Sequence, residues 1–205
     1  MGLIKSAAHP GSVETALFGS IVRLDLFMAN QEAVCIGILT ISDRASRGQY
    51  EDESGPAIEA WLRNAIHSPW TPVRLTVPDG IEPVRAAMTS LCDQERADLV
   101  LSTGGTGPAP RDVTPEAMRD VIDRELPGFG ELMRKISLRS VPTAILSRQS
   151  AGIRGQTLIV TLPGRPASIA TCLNAVFPAI PYCLDLIGAR YIETNPDVCK
   201  AFRPA

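Results

Sequence analysis

The chain has 205 residues, 45% hydrophobic and 20% charged, with a formal net charge of -2. That length suits one domain with a sizeable core, and the near-neutral charge without a basic cluster excludes a dedicated nucleic-acid binder. No apolar run approaches the length of a membrane span, and five widely spaced cysteines with only two histidines argue against a zinc site or a disulfide framework.

Residues 1–32 lack a clear period and are expected to form a poorly ordered extension. Arg23 and Asp25 interrupt their apolar part and no small-residue cleavage site follows, which disfavours a secretory signal. Reduced thiols without such a signal fit a cytoplasmic protein. From residue 33 to 205 the pattern is that of a single domain. Val34–Ile41 is apolar on both faces, the mark of a central parallel strand. A polar loop is expected over Ser42–Gly48. Ile58, Trp61, Leu62, Ala65 and Ile66 then recur at helical spacing. Val73–Val77 reads as the second strand, and Val84, Ala87, Met88, Leu91 and Cys92 as the stripe of the next helix. Asp98–Ser102 is the third strand, followed by the glycine-rich loop Ser102–Asp112. Thr114 suits an N-cap and Pro115 the first helical position, with the helix expected to run to about Arg124. Another helix is expected from Phe129. Ala144–Arg148 and Thr157–Thr161 read as the two strands of a hairpin, and Ile169 to Phe177 as the last helical stripe. Strands alternating with crossover helices imply an α/β fold, three-layer α/β/α with a mostly parallel mixed sheet.

In such a fold the loops after parallel strands share one edge. Four of them carry unusual polar content: Ser42-Asp43-Arg44, Pro78-Asp79-Gly80, the glycine loop through Asp112, and Pro163-Gly164-Arg165-Pro166-Ala167-Ser168. Convergence of Asp43, Asp79 and Asp112 would crowd three carboxylates, which a cation shared with substrate phosphates relieves. Glycines let backbone amides approach a phosphate, although tight turns use them equally. An aspartate after a strand equally serves turns and caps. Lysine does not follow the glycines, so this is not a Walker loop. The residues by themselves reach a phosphate and metal-ion site on an α/β domain.

Several separated motifs go further: Ile41-Ser42-Asp43-Arg44-Ala45-Ser46, Pro78-Asp79, Thr103-Gly104-Gly105-Thr106-Gly107-Pro108, Arg111-Asp112-Val113-Thr114-Pro115-Glu116, Pro127-Gly128-Phe129-Gly130-Glu131, Ala144-Ile145-Leu146-Ser147-Arg148, and Leu162-Pro163-Gly164 with Pro166 and Ser168. Together they make the chain from about residue 34 resemble the stand-alone bacterial molybdopterin adenylyltransferases of molybdenum cofactor biosynthesis. The resemblance implies a trimeric mixed-sheet α/β/α protein that joins ATP to molybdopterin with Mg²⁺ and releases pyrophosphate. It implies catalytic and metal-holding roles for Asp79 and Asp112. It places Thr103, Gly104, Gly105, Thr106 and Gly107 against the substrates, with Ser42, Asp43, Gly164 and Ser168 on loops lining the same pocket. It also implies a transient contact with a downstream molybdenum insertase. A non-catalytic pterin carrier, a metal insertase of the same superfamily and a trimeric scaffold are the rival readings. The extension at 1–32 has no counterpart in the family pattern.

Overall fold

Eight residues with branched or small apolar side chains, Val34–Ile41, form the strand β1 near the middle of the sheet. A computed structural model describes residues 32–204; the expected disorder of the extension concerns residues outside the described ones, Glu32 aside. After β1 the chain does not stay a loop. Asp43–Ser46 forms one helical turn, α1, because the Ser42 hydroxyl accepts the Ala45 amide and caps it. The next elements are α2 (Ser54–Ala65), β2 (Trp70–Val77), α3 (Ile81–Asp93) and β3 (Leu99–Thr103), close to the positions the apolar spacing predicts. Then come α4 (Thr114–Arg119), β4 (Arg124–Glu125), α5 (Pro127–Ser137), a 3-10 turn over Pro142–Leu146, β5 (Ala151–Arg154), β6 (Thr157–Leu162), α6 (Pro166–Val176), a 3-10 turn over Phe177–Ala179 and α7 (Ile180–Ile187).

The strand order is β2-β1-β3-β6-β5-β4. β2, β1, β3 and β6 are parallel, whereas β5 runs antiparallel to β6 and to β4. The expected mostly parallel mixed sheet is therefore present. Alternation along β1 sends Ile36 and Ile38 to one face, against α2, α5, α6 and α7. Leu39 and Ile41 go to the other, against α3 and α4. Two helical layers thus sandwich the sheet.

Two expectations fail on tertiary grounds. The hairpin's first strand is not Ala144–Arg148: Pro142 opens a 3-10 turn there, and Ile145 is 70% exposed. The strand that pairs with β6 is Ala151–Arg154. The helix expected to reach Arg124 stops at Arg119, because the Asp123 amide donates to the Ile153 carbonyl and Arg124–Glu125 joins the sheet edge. A third difference concerns Pro166–Ile187, a helical run of 22 residues that is long and apolar enough to cross a membrane by length and composition alone. Ile169, Leu173, Phe177, Ile180 and Leu184 on it are buried in the core, so that face is taken up by the sheet. Cys92 and Cys172 are buried as expected and Cys35 half-buried, all with free thiols. Burial pushes the Cys92 thiol up to about 11, which keeps it protonated and inert.

Glu59 of α2 is only 4% exposed and is shared by Arg74 of β2 and Arg63 of its own helix. Burial alone would raise its pKa. The hydrogen bonds and charges of the two arginines outweigh burial and hold the carboxyl below its ordinary 4.5. Its stabilising contribution is therefore complete above that ordinary value and is lost as the pH falls through the lower folded one. Because both guanidinium groups reach solvent, Glu59→Gln is expected to cost about 1–2 kcal/mol near neutrality. Urea midpoints of the two proteins should converge in acid, and an unchanged gap at low pH would contradict this account.

Candidate active site

Because four strands are parallel, the loops after β1, β2, β3 and β6 reach the same edge of the sheet. The structure joins three of them through carboxylates. Asp79 Oδ2, after β2, accepts the Asp43 amide at 2.8 Å. The Asp43 carboxylate, after β1, accepts Arg111 Nε and Nη2 from the glycine loop, both at 2.8 Å. Arg111 Nη2 also donates to the Asp79 carbonyl at 2.8 Å. The expected crowding of Asp43, Asp79 and Asp112 is not found: among the described residues no three such side chains gather, and the Asp43 carboxylate is already paired with Arg111. Ser42 is engaged in capping α1.

The loop after β3 is folded around its own glycines. Gly104 has φ 102° and Gly105 φ 62°, backbone that side chains rarely adopt. A Cβ on Gly104 would overlap the Ile41 carbonyl oxygen, and one on Gly105 the Thr114 hydroxyl. Thr114 is not the expected N-cap; that position is Val113, and the Thr114 hydroxyl instead donates to the Gly104 carbonyl at 2.9 Å. Thr103, 1% exposed, donates to the Pro163 carbonyl at 2.8 Å, and Gly164 packs on Gly104. Thr106 is buried as well. Thr103, Gly104, Gly105 and Gly164 therefore bring chain segments together, Gly104 and Gly105 staying partly exposed and Gly164 exposed, and the loop runs on to Gly107 and Asp112.

There, a cavity of about 660 Å³ opens beside Gly107 and Asp112, with Arg165 and Ser168 on one wall and Ser137 and Ser147 on another. Asp112 Oδ2 accepts the Ala109 amide at 3.0 Å. Asp43, Asp79 and Ser42 do not line this cavity; they lie on the Arg111 flank of the same loop. A second cavity of about 660 Å³ lies near the opposite ends of β3 and β6, beside Asp98 and Thr157. Its Arg154 and Arg190 are paired with Asp93 and Asp98, and it lies away from the shared edge of the parallel strands.

A family model described as a probable molybdopterin binding domain matches residues 37–182. The molybdopterin adenylyltransferase of Helicobacter pylori strain J99 is 53% identical over 173 residues, which cover 84% of this chain and 98% of that protein. The chain belongs to the molybdopterin adenylyltransferase family. The Escherichia coli K12 molybdopterin adenylyltransferase is 49% identical over 181 residues, 82% of this chain and 93% of that protein. The crystal structure of a molybdopterin biosynthesis enzyme from Thermus thermophilus aligns with TM-score 0.70 at 43% identity, over 77% of this chain and 99% of that one. Membership makes the chain an enzyme of molybdenum cofactor biosynthesis.

A Mg²⁺ ion at this edge would have to share its shell with oxygens of a bound ligand. Among the described residues no three or more His, Cys, Asp or Glu side chains gather to hold a metal alone. Asp79 and Asp112 each commit one oxygen to a backbone amide and have a second to offer. Mg²⁺ bound through one or two carboxylates plus substrate oxygens is the ordinary arrangement for such an ion.

Sequence reasoning missed three supporting residues. Ser54 donates to the Gly164 carbonyl at 3.0 Å, fastening the loop after β6 to α2. Asp52 caps that helix through the Ser54 and Gly55 amides and accepts the Thr40 hydroxyl at 2.7 Å. Arg148 pairs with Glu116, a residue whose place in the first turn of α4 suggests helix capping alone. Burial would raise the Glu116 carboxyl, but the Arg148 hydrogen bond and nearby charges hold it below 4.5. The Asp52 cap is local, but local spacing carries no trace of the ties from Ser54 to Gly164, Asp52 to Thr40 and Arg148 to Glu116, which join segments distant in sequence.

Proposed function

We propose that the chain transfers the adenylyl group of ATP to the terminal phosphate of molybdopterin and releases pyrophosphate. The carrying observation is the cavity that opens beside Asp112 and Gly107 at the carboxyl edge of the parallel strands, where α/β folds bind ligands. The names of its relatives support the substrate and the reaction.

A phosphate oxygen of molybdopterin attacks the α-phosphorus of ATP, and the new P–O bond forms as the bond to pyrophosphate breaks. The nucleophile is already anionic, so the step needs positioning and charge neutralisation more than a general base. No histidine stands in any of the four site loops. Arg165 and Ser168, where α6 begins, offer a cation and a hydroxyl to phosphate oxygens. Asp112, which lines the cavity, or Asp79, on the other flank of the loop, would hold Mg²⁺, which when bound would neutralise phosphate oxygens as a Lewis acid. On the same reading the chain assembles as a homotrimer, works in the cytoplasm and hands its product to an insertase. Exposed Leu132, Leu138, Val141 and Ile145 along one stretch support self-association.

The test is pyrophosphate release by the purified protein. Release is expected only with ATP, molybdopterin and Mg²⁺ together, and chelation should abolish it. Molybdopterin binding without ATP-dependent release would mark a carrier, and dependence on molybdate would mark an insertase; either would overturn the proposal.

A further inference from the structure

We propose that Arg148 is a positioning residue for adenylyl transfer, holding Asp112 and the turn before it from behind while touching no substrate. This rests on the function proposed above. Arg148 follows the 3-10 turn over Pro142–Leu146, far from the glycine loop in sequence, yet every donor group of it that the structure places reaches that loop or the helix after it. Its backbone amide donates to the Thr106 carbonyl at 2.8 Å. Nε donates to the Gly107 carbonyl at 3.0 Å, Nη2 to the Asp112 carbonyl, and Nη1 to the Glu116 carboxylate on α4.

The loop's own hydrogen bonds, Asp112 to Ala109, Val113 to Arg111 and Thr114 to Gly105, close turns within it but fasten it to nothing else. Beyond the Thr103 hydroxyl on the Pro163 carbonyl at the loop's start, two arginines do the fastening. Arg111 reaches out to Asp43 and is 64% exposed. Arg148 reaches in from the other flank and is 38% exposed. Asp112 lies between the two. Arg148 does not line the cavity, although its neighbours Ser147 and Gln149 do. Its effect on the reaction must therefore pass through Asp112 and Gly107. Three acceptors in different directions around one planar group match the fixed fork of a guanidinium, and a lysine ammonium cannot span them. Glu116 aims that fork by pairing with its remaining nitrogen.

The test combines steady-state kinetics with amide hydrogen exchange over residues 104–113. Arg148→Ala should lower kcat by roughly 10–100-fold, the scale of a misplaced catalytic group. KM for ATP should stay within about 3-fold, since no binding contact is lost. The loop amides should exchange faster. Arg148→Lys should fail to restore kcat, and Glu116→Gln, which keeps an acceptor, should lose less. Should Arg148→Ala not fold, Arg148→Lys and Glu116→Gln give the same two readouts. A kcat within about 2-fold of wild type in Arg148→Ala, a rise in KM alone, or a fall in kcat with unchanged loop exchange would overturn the assignment. If the wild-type protein releases no pyrophosphate, the proposed function fails, and loop exchange alone still decides whether Arg148 holds the loop.

Discussion

Asp112→Ala is expected to leave the fold standing while adenylyl transfer drops by roughly 10²–10³-fold. The two halves of that expectation come from different atoms. The structural duty of the side chain is one bond, Oδ2 to the Ala109 amide at 3.0 Å, within an exposed turn. Losing it costs on the order of 1 kcal/mol. In the proposed reaction the functional duty would belong to the carboxylate charge at the cavity, where phosphate oxygens and a cation would be brought together. Asp112→Asn separates them, since the amide oxygen can still accept from Ala109 but the charge is gone. Its activity should fall as far as that of the alanine variant, and its stability should not. Asp79→Ala should also lose roughly 10²–10³-fold in rate, with a larger structural penalty because Asp79 Oδ2 holds the Asp43 amide at the start of α1. Rates and thermal unfolding of the three variants decide this. Turnover of Asp112→Ala near the wild-type level would remove Asp112 from the chemistry.

What could be read in advance was whatever repeats at a fixed period or ends at an obvious break. The alternation of Ile36, Ile38, Leu39 and Ile41 already separates the two faces of the sheet, and Val84, Met88 and Leu91 already mark a buried helix face. The shared edge follows from parallel strands, so Asp43 and Asp79 meeting there could be anticipated. The rest depends on contacts that no window contains. Ala144-Ile145-Leu146 has strand composition, but Pro142 and a solvent-facing position leave it outside the sheet. Val121 and Ile122 extend a helical pattern, yet the chain beyond them is captured by β5. Thr114 is a good cap by type, and its hydroxyl is drawn instead to Gly104. Glu116 and Arg148 are 32 residues apart, and only the folded site shows that they form one clamp. The glycines are the instructive case. Their composition suggests room for a ligand, whereas the folded loop shows them making room for the protein itself.

That distinction sets the outcome for Gly104→Ala. If Gly104 served only to admit a phosphate, the variant would fold normally and bind substrate less tightly. The backbone geometry points the other way. An L-residue at φ 102° is strained by about 1–3 kcal/mol before any contact is counted. The added Cβ would also overlap the Ile41 carbonyl oxygen, a backbone atom at the end of a central strand that cannot swing aside as a side chain would. Relief requires the turn to move away from β1. That movement pulls on the Gly104 carbonyl held by Thr114, and on Gly164 packed against the Gly104 Cα. A loss of more than about 3 kcal/mol in unfolding free energy is expected, among the larger effects a single substitution produces. Activity should fall with it, since the same turn leads directly to Gly107 and Asp112. Denaturant unfolding of Gly104→Ala beside Gly107→Ala gives the contrast. At Gly107 the added Cβ would meet only the Asp112 carboxylate oxygen at 2.6 Å, the end of a side chain that can turn. The Gly107 variant should therefore keep most of its stability and lose rate through Asp112. A Gly104 variant as stable as wild type, with only KM raised, would return the glycines to the role of a ligand cradle.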